Sequence, residues 1–272
     1  SYVLHEILPR LFGFEIMIAP YTIAHLKMSM LLKETGFKYF NDRRLGIYLT
    51  NSLQKGNTLE DLFGSFGLAE SISDESKEAS KKKEEKPIMI VLGNPPYSGE
   101  SSNKGKNFEW INGLLEDYKK EPGGVEKLNE KNSKWLNDDY VKFLRFGQYF
   151  IEKNKAGVVA FINPHGFLDN PTFRGMRWNL LKTYDKIYIL NLHGNAKKKE
   201  VCPDGSKDEN VFDIQQGVSI NIFVKTGEKK GEELGQVFYT DIWGVRSNKF
   251  EYLTEKELEQ IKWQKIENKE PM

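Results

Sequence analysis

Apolar positions along the chain fall into short continuous runs and longer stretches at helical spacing, divided by polar segments. The continuous runs predict strands over residues 11–16, 45–49, 88–92, 157–162, 186–192 and 218–225, with a shorter one over 236–240. Helical spacing predicts helices over 21–35, 138–154 and 172–184, a short helix over 59–63 and a charged helix over 254–261. Gly36 stands where the first of these should stop. In the helix over 138–154, Val141, Leu144, Phe150 and Ile151 recur broadly on one face. Strands and helices alternate, which predicts an α/β fold with a parallel-rich sheet.

Two stretches break the alternation. Residues 71–86 (SISDESKEASKKKEEK) carry almost no apolar side chains and read as an exposed charged linker. Residues 98–134 are rich in Gly, Ser and Lys and read as a long polar insertion, a length at which loops are usually functional or disordered.

Directly after the apolar run Ile88-Met89-Ile90-Val91-Leu92-Gly93 stands Asn94-Pro95-Pro96-Tyr97. A run of that kind suits a strand buried on both faces, and in open α/β sheets ligands bind at the carboxyl ends of the strands. Residues before proline are pushed to extended conformations, so the chain cannot turn at once into a helix. Neither proline has an N–H to offer. The Asn94 side-chain oxygen and the Pro95 carbonyl can therefore face a pocket together as two acceptors, which suits an NH₂ group with two hydrogens to give. A conjugated amine is a poor nucleophile. Bonds that strengthen as its nitrogen becomes tetrahedral and positive stabilise the transition state more than the ground state. Tyr97 adds a flat face on which a base flipped out of a duplex can stack.

Composition narrows the picture. Forty Lys and Arg against thirty-nine Asp and Glu give a formal charge of +1, so any nucleic-acid contact must come from local patches. The single cysteine, Cys202, excludes an internal disulfide and a cysteine-rich metal site, and a reducing cytoplasm is the expected compartment. No apolar run is long enough for a membrane helix. His5, His25, His165 and His193 have no metal-ligand spacing, so no metal site is expected. The chain opens at Ser1 inside what reads as a helix, as a fragment of a longer chain would.

Three motifs in this order, Phe12-Gly13-Phe14-Glu15, Asn94-Pro95-Pro96-Tyr97 and Asn210-Val211-Phe212, resemble those of the gamma-type, amino-methylating adenine-specific DNA methyltransferases. The runs LPRLFGFEIMIAPYTIAHLKM, RLGIYLTNSL and YTDIWGVRSNKFEYL narrow the resemblance to the methyltransferase region of Type ISP single-chain restriction-modification enzymes. The resemblance implies a Rossmann-like, S-adenosylmethionine-dependent methyltransferase sheet flanked by helices. It implies that Glu15 bonds the ribose hydroxyls of S-adenosylmethionine, that Ile16 lies beside the cofactor adenine and that Asn51 meets its amine. Asn94, Pro95, Pro96 and Tyr97 then form the catalytic motif, with Tyr97 and Phe212 stacking on a flipped adenine of double-stranded DNA.

The family's Gly-rich first motif has no counterpart here, so the first, central strand is expected to be missing and methyl transfer by the chain alone to be weak or absent. Residues 1–227 are then a partial methyltransferase domain, and 228–272 an edge segment leading towards a target recognition domain. Nuclease, helicase and target recognition regions would belong to the rest of the parent chain. Two rival readings stand beside this one. A non-catalytic DNA-binding or assembly module would use Arg174, Arg177, Trp178, Lys197, Lys198 and Lys199 against phosphate. A protein-glutamine methyltransferase would present the same two amide protons to Asn94 and Pro95.

Overall fold

The computed structural model describes residues 2–37, 44–54, 68–97, 99 and 101–267. The short helix expected over 59–63 lies outside them. The chain divides into two units, Ser1–Lys86 with Lys106–Phe108, and Pro87–Gly105 with Glu109–Met272. The boundary expected at 227/228 falls inside the second.

In the first unit, β1 (Gly13–Glu15) and β2 (Ile47–Leu49) pair in parallel. Helix α1 (Ile18–Glu34) packs on both strands, and α2 (Leu68–Glu85) on β2. Leu8, Leu32, Phe37, Leu45 and Ile47 form its core. Helix α2 corrects the linker expected over 71–86. Its docked face is built mostly from polar side chains, which the hydrophobic pattern does not register. Glu75 accepts from the Leu49 N–H at 3.0 Å, Ser76 meets Thr50 at 3.4 Å, Ala79 is fully buried, and Lys83 reaches the carbonyls of Asn51, Ser52 and Gln54 at 3.1–3.4 Å.

The second unit holds β3 (Ile90–Gly93), α3 (Glu109–Leu115), α4 (Asp139–Asn154), β4 (Gly157–Pro164), α5 (Arg174–Thr183), β5 (Lys186–Asn191), β6 (Val218–Lys225), β7 (Gln236–Asp241), α6 (Arg246–Glu255) and β8 (Gln264–Ile266). Its sheet runs β3-β4-β6-β5-β7-β8. Strands β3, β4, β5 and β7 point one way, while β6 and β8 oppose them. On one sheet face Val159, Phe161, Ile187 and Phe223 meet Val141, Leu144 and Ile151 of α4 and Met176 and Leu180 of α5. On the other, Ile162, Leu190, Val218 and Ile220 meet Leu253 of α6. These alternating positions are what strand geometry demands of a sheet covered on both sides.

Three expectations need correction here. Strand β3 is not buried on both faces: it lies at a sheet edge, and Ile90 and Leu92 are 64% and 73% exposed while Val91 packs on the core. The insertion over 98–134 is not merely polar, because Ile111, Leu115 and Tyr118 are fully buried in it. Tyr118 donates to Gln148 of α4 at 2.6 Å, and a Cβ on Gly175 of α5 would stand 1.9 Å from the Lys120 carbonyl, so helix and insertion approach as closely as backbones can. The helix expected over 254–261 lies instead at Arg246–Glu255, followed by a 3-10 turn at Leu258–Gln260 and by β8, because buried Lys249 holds the earlier segment down. Among the described residues, no helix is long and apolar enough to cross a membrane.

Candidate active site

Asn94 follows β3 without a break, at the sheet edge where β4, β5 and β7 also end. Asn94 and Pro96 are exposed, and Pro95 is buried. The Tyr97 hydroxyl lies within hydrogen-bond distance of Asn94 Oδ1 and, at 2.9 Å, of the Ile162 carbonyl of β4. Burial pushes the Tyr97 phenol well above its ordinary pKa, so it remains a donor at any physiological pH. With one proton between two acceptors, it leaves Asn94 Oδ1 a lone pair for another donor.

The Tyr97 and Phe212 ring centroids are 6.2 Å apart with planes inclined at 47°. Both rings pack on the cluster of Leu190, Leu192, Val211 and Val218. The fold thus brings together the two aromatics that the sequence placed in separate motifs. Their planes are not parallel, so a base entering between them must turn one of the rings.

Phe212 is held at both its N–H and its carbonyl. Asn210 Oδ1 accepts the Phe212 N–H at 2.9 Å, while its amide donates to the carbonyls of Gly194 and Gln216 at 3.0 and 2.7 Å. Arg246, at the start of α6, donates to the carbonyls of Asn210 and Phe212 at 2.8 and 3.0 Å. Beneath it, the fully buried Lys249 Nζ reaches Asp208 Oδ1 at 2.6 Å and the carbonyls of Leu192 and Glu209, each at 2.7 Å. A cavity of about 600 Å³ opens beside this loop, lined among others by Glu200, Asp208, Asn210, Phe212 and Arg246. None of Asn94, Pro95, Pro96 and Tyr97 lines it. Sequence reasoning missed Arg246, Lys249 and Asp208, since single charges in a charged chain carry no signal until their partners are known.

In the first unit, Glu15 ends β1 and its Oε1 accepts the N–H groups of Ile16 and Met17 at 2.8 and 2.9 Å. That fixes the carboxylate at the mouth of α1 and turns Oε2 to other donors. Ile16 is 59% exposed. Asn51 is buried, and its Oδ1 accepts the Leu53 N–H at 3.0 Å, closing a local turn. Lys83 clamps the same turn from α2, and burial lowers its pKa to about 8.

Of the basic residues of the DNA-binding rival, Arg174 and Arg177 are committed elsewhere, while Lys197, Lys198 and Lys199 are exposed. Arg174 grips Glu121 through two nitrogens at 2.6 and 2.7 Å, Arg177 donates to the carbonyls of Phe167 and Asn170, and Lys198 pairs with Asp169 at 2.9 Å. Trp178 carries Lys182 over its ring. Such guanidinium groups fasten the insertion and the start of α5 and are not free for phosphate.

The sequence profile of the Eco57I restriction-modification methylase family matches residues 10–197. Comparison with curated protein sequences returns no match. Among the solved structures that share the fold, three are similar over nearly the whole of this chain. The ATP-dependent Type ISP restriction-modification enzyme LlaBIII bound to DNA is 25% identical with a TM-score of 0.71, over 93% of this chain and 16% of that one. DrdV in a DNA complex is 26% identical with a TM-score of 0.73, over 95% and 24%. A nuclease-deletion mutant of the Type ISP enzyme LlaGI, in complex with a DNA substrate mimic, is 24% identical with a TM-score of 0.76, over 99% and 21%. This chain therefore spans a sixth to a quarter of the length of those enzymes. With 188 of its 272 residues inside the matched span, the chain belongs to the Eco57I restriction-modification methylase family.

Proposed function

We propose that this chain is the methyltransferase region of a restriction-modification enzyme, and that it methylates the exocyclic amino group of an adenine flipped out of double-stranded DNA. The observation that carries the reading is the placement of Asn94 at the end of β3, braced by the Tyr97 hydroxyl, with Phe212 facing Tyr97. S-adenosylmethionine, when bound, supplies the electrophilic methyl group. The residues of the first unit suit it: Glu15 has one carboxylate oxygen locked and the other turned to ribose hydroxyls, Ile16 offers an exposed apolar surface to an adenine ring, and Asn51 carries an amide oxygen of the kind that can accept from an amine.

The rest of the chemistry belongs to the second unit. Tyr97 and Phe212 hold the flipped base by its faces. Asn94 Oδ1 and the Pro95 carbonyl each accept one proton of the amino group. Attack by the nitrogen on the sulfonium methyl would break its carbon–sulfur bond and leave a neutral thioether; the nitrogen becomes positively charged, and both hydrogen bonds tighten. One of the two protons then leaves to solvent, and no covalent enzyme intermediate forms.

The test is methyl transfer to duplex DNA by the intact enzyme carrying this region, with the product base identified by mass spectrometry. Asn94→Ala should abolish transfer while cofactor binding persists. Wild-type turnover by Asn94→Ala would refute the mechanism. Label recovered in N4-methylcytosine would refute the choice of base, since cytosine's amine can use the same acceptors. Methyl recovered on protein glutamine would move the reading to the second rival.

A further inference from the structure

The ends of β4 and β5 bring together two histidines that have no metal-ligand spacing in the sequence. His165 follows β4 and His193 follows β5, and the loop after His193 returns Glu200 to them. One ligand atom from each of the three residues lies within 4.8 Å of the others. Glu200 Oε1 is 4.0 Å from His165 Nε2 and 3.8 Å from His193 Nδ1. These separations are too long for hydrogen bonds and close to the spacing of ligands that share one ion.

Each outer atom of the cluster is already committed. His165 Nδ1 lies 3.0 Å from Asn191 Oδ1, an acceptor, so that nitrogen carries the proton and Nε2 is left with a lone pair. His193 Nε2 lies 3.3 Å from Asp241 Oδ2, and the same argument leaves Nδ1 bare. Glu200 Oε2 accepts the Asn195 N–H at 2.8 Å, which leaves Oε1 turned towards the two rings. Metal-binding histidines characteristically donate their second N–H to an oxygen that orients the ring, and both rings here do so.

An independent observation points the same way. His193 is 7% exposed, and its Nδ1 is buried without a hydrogen-bond partner. An orphaned buried acceptor is destabilising, and an ion at the centre of the cluster would remove that cost. The ring cannot readily turn away: Trp243 stacks on it at 3.4 Å and 16°. The His165 ring is as tightly set, since a Cβ on Gly217 would come within 2.4 Å of it. One bond must yield to an ion: the Asn195 amide donates to His165 Nε2 at 3.1 Å. Asn195 and Glu200 also line the cavity beside Phe212, so the cluster has a route to solvent.

The geometry points to a site for a zinc-type divalent ion, held by His165 Nε2, His193 Nδ1 and Glu200 Oε1, that ties the ends of β4 and β5 to the loop leading to Phe212. Two imidazoles and one carboxylate with an open fourth position are a donor set that zinc accepts, and magnesium prefers oxygen ligands.

The experiment is calorimetric titration of the chelator-treated chain with Zn²⁺ and Co²⁺, with Mg²⁺ as competitor. Expected are one Zn²⁺ per chain, displacement of Co²⁺ by Zn²⁺, no competition by Mg²⁺ at equal concentration, and a rise in melting temperature on loading. Asp241→Asn, which touches no ion, should weaken binding by roughly 10–100-fold. His193→Ala and Glu200→Gln should weaken it further, while His5→Ala, a change at an exposed histidine, should not. Because Glu200→Gln and Asp241→Asn conserve shape, they keep the test valid where His193→Ala disturbs the fold. Binding weaker than about 1 mM, or equal affinity in wild type, Glu200→Gln and Asp241→Asn, would overturn the site and leave a hydrogen-bonded histidine pair.

Discussion

Lys249→Met should be among the most damaging single changes outside the apolar core. The Lys249 and Asp208 side chains are both fully inaccessible, and their charged atoms are 2.6 Å apart. Lys249 Nζ also satisfies the carbonyls of Leu192 and Glu209, while the Asp208 carboxylate accepts the N–H groups of Gly194 and Gly244 at 2.7 and 2.9 Å. Methionine fills the same volume but offers no charge and no donor. It leaves a buried carboxylate with two amide donors and no counter-ion, and two carbonyls stripped of their shared partner. Breaking a buried pair in this way costs about 3–5 kcal/mol, against a total stability of roughly 5–15 kcal/mol for a domain. All five tryptophans (Trp110, Trp135, Trp178, Trp243 and Trp263) lie in the second unit, so their fluorescence during urea denaturation reports that unit alone. The double variant Asp208→Asn with Lys249→Met removes both charges. It should be more stable than the sum of the single losses implies, with a coupling of about 1–3 kcal/mol. A loss below about 1 kcal/mol for Lys249→Met, or strict additivity in the double variant, would show that the pair does not hold the loop of Asp208–Phe212 in place.

Other consequences can be measured separately. Lys83 is depressed from 10.5 to about 8 by burial, so between those values the unfolded chain holds a proton that the folded chain has lost. Stability must therefore rise with pH across that window, by up to about 3 kcal/mol relative to Lys83→Met; parallel pH curves for the two proteins in circular-dichroism denaturation would sink the argument. Tyr97→Phe keeps the ring but removes the hydroxyl that braces Asn94, and turnover should fall by about fivefold to tenfold, the worth of one hydrogen bond. Tyr97→Ala should fall much further, and equal rates for the two variants would mean that the hydroxyl alone matters. Leu115→Ala, inside the segment that reads as a polar insertion, should cost about 2–5 kcal/mol in the second unit because Leu115 is fully buried. A change below about 0.5 kcal/mol, typical of a surface site, would contradict that packing.

Much of the alternation of strands and helices could be read directly, because elements such as α4 and β6 each carry their own period and bury it locally. So could the placement of Asn94-Pro95-Pro96-Tyr97 after a strand, since two prolines after an apolar run permit few conformations. Contacts made by polar side chains were hidden. Helix α2 docks through Glu75, Ser76 and Lys83, and a pattern read as hydrophobic against polar sees only a linker there. The insertion was hidden for a related reason: Ile111, Leu115 and Tyr118 are scattered among charged residues, and their burial depends on α4 lying beside them.

Local periodicity and proline sterics act over a few residues, so the order of most elements and the position of Asn94 at the end of a strand could be read along the chain. That Phe212 faces Tyr97, that Arg246 and Lys249 brace the loop, and that His165, His193 and Glu200 converge became visible in the folded chain alone. The physical reason is the sheet. Strands β4, β5 and β7 end at one edge, with β6 starting between the first two, so residues far apart in the chain arrive within a few ångströms of one another. A hydrogen bond, an ion pair or a shared metal ion depends on distance in space, and spacing along the chain carries no record of it.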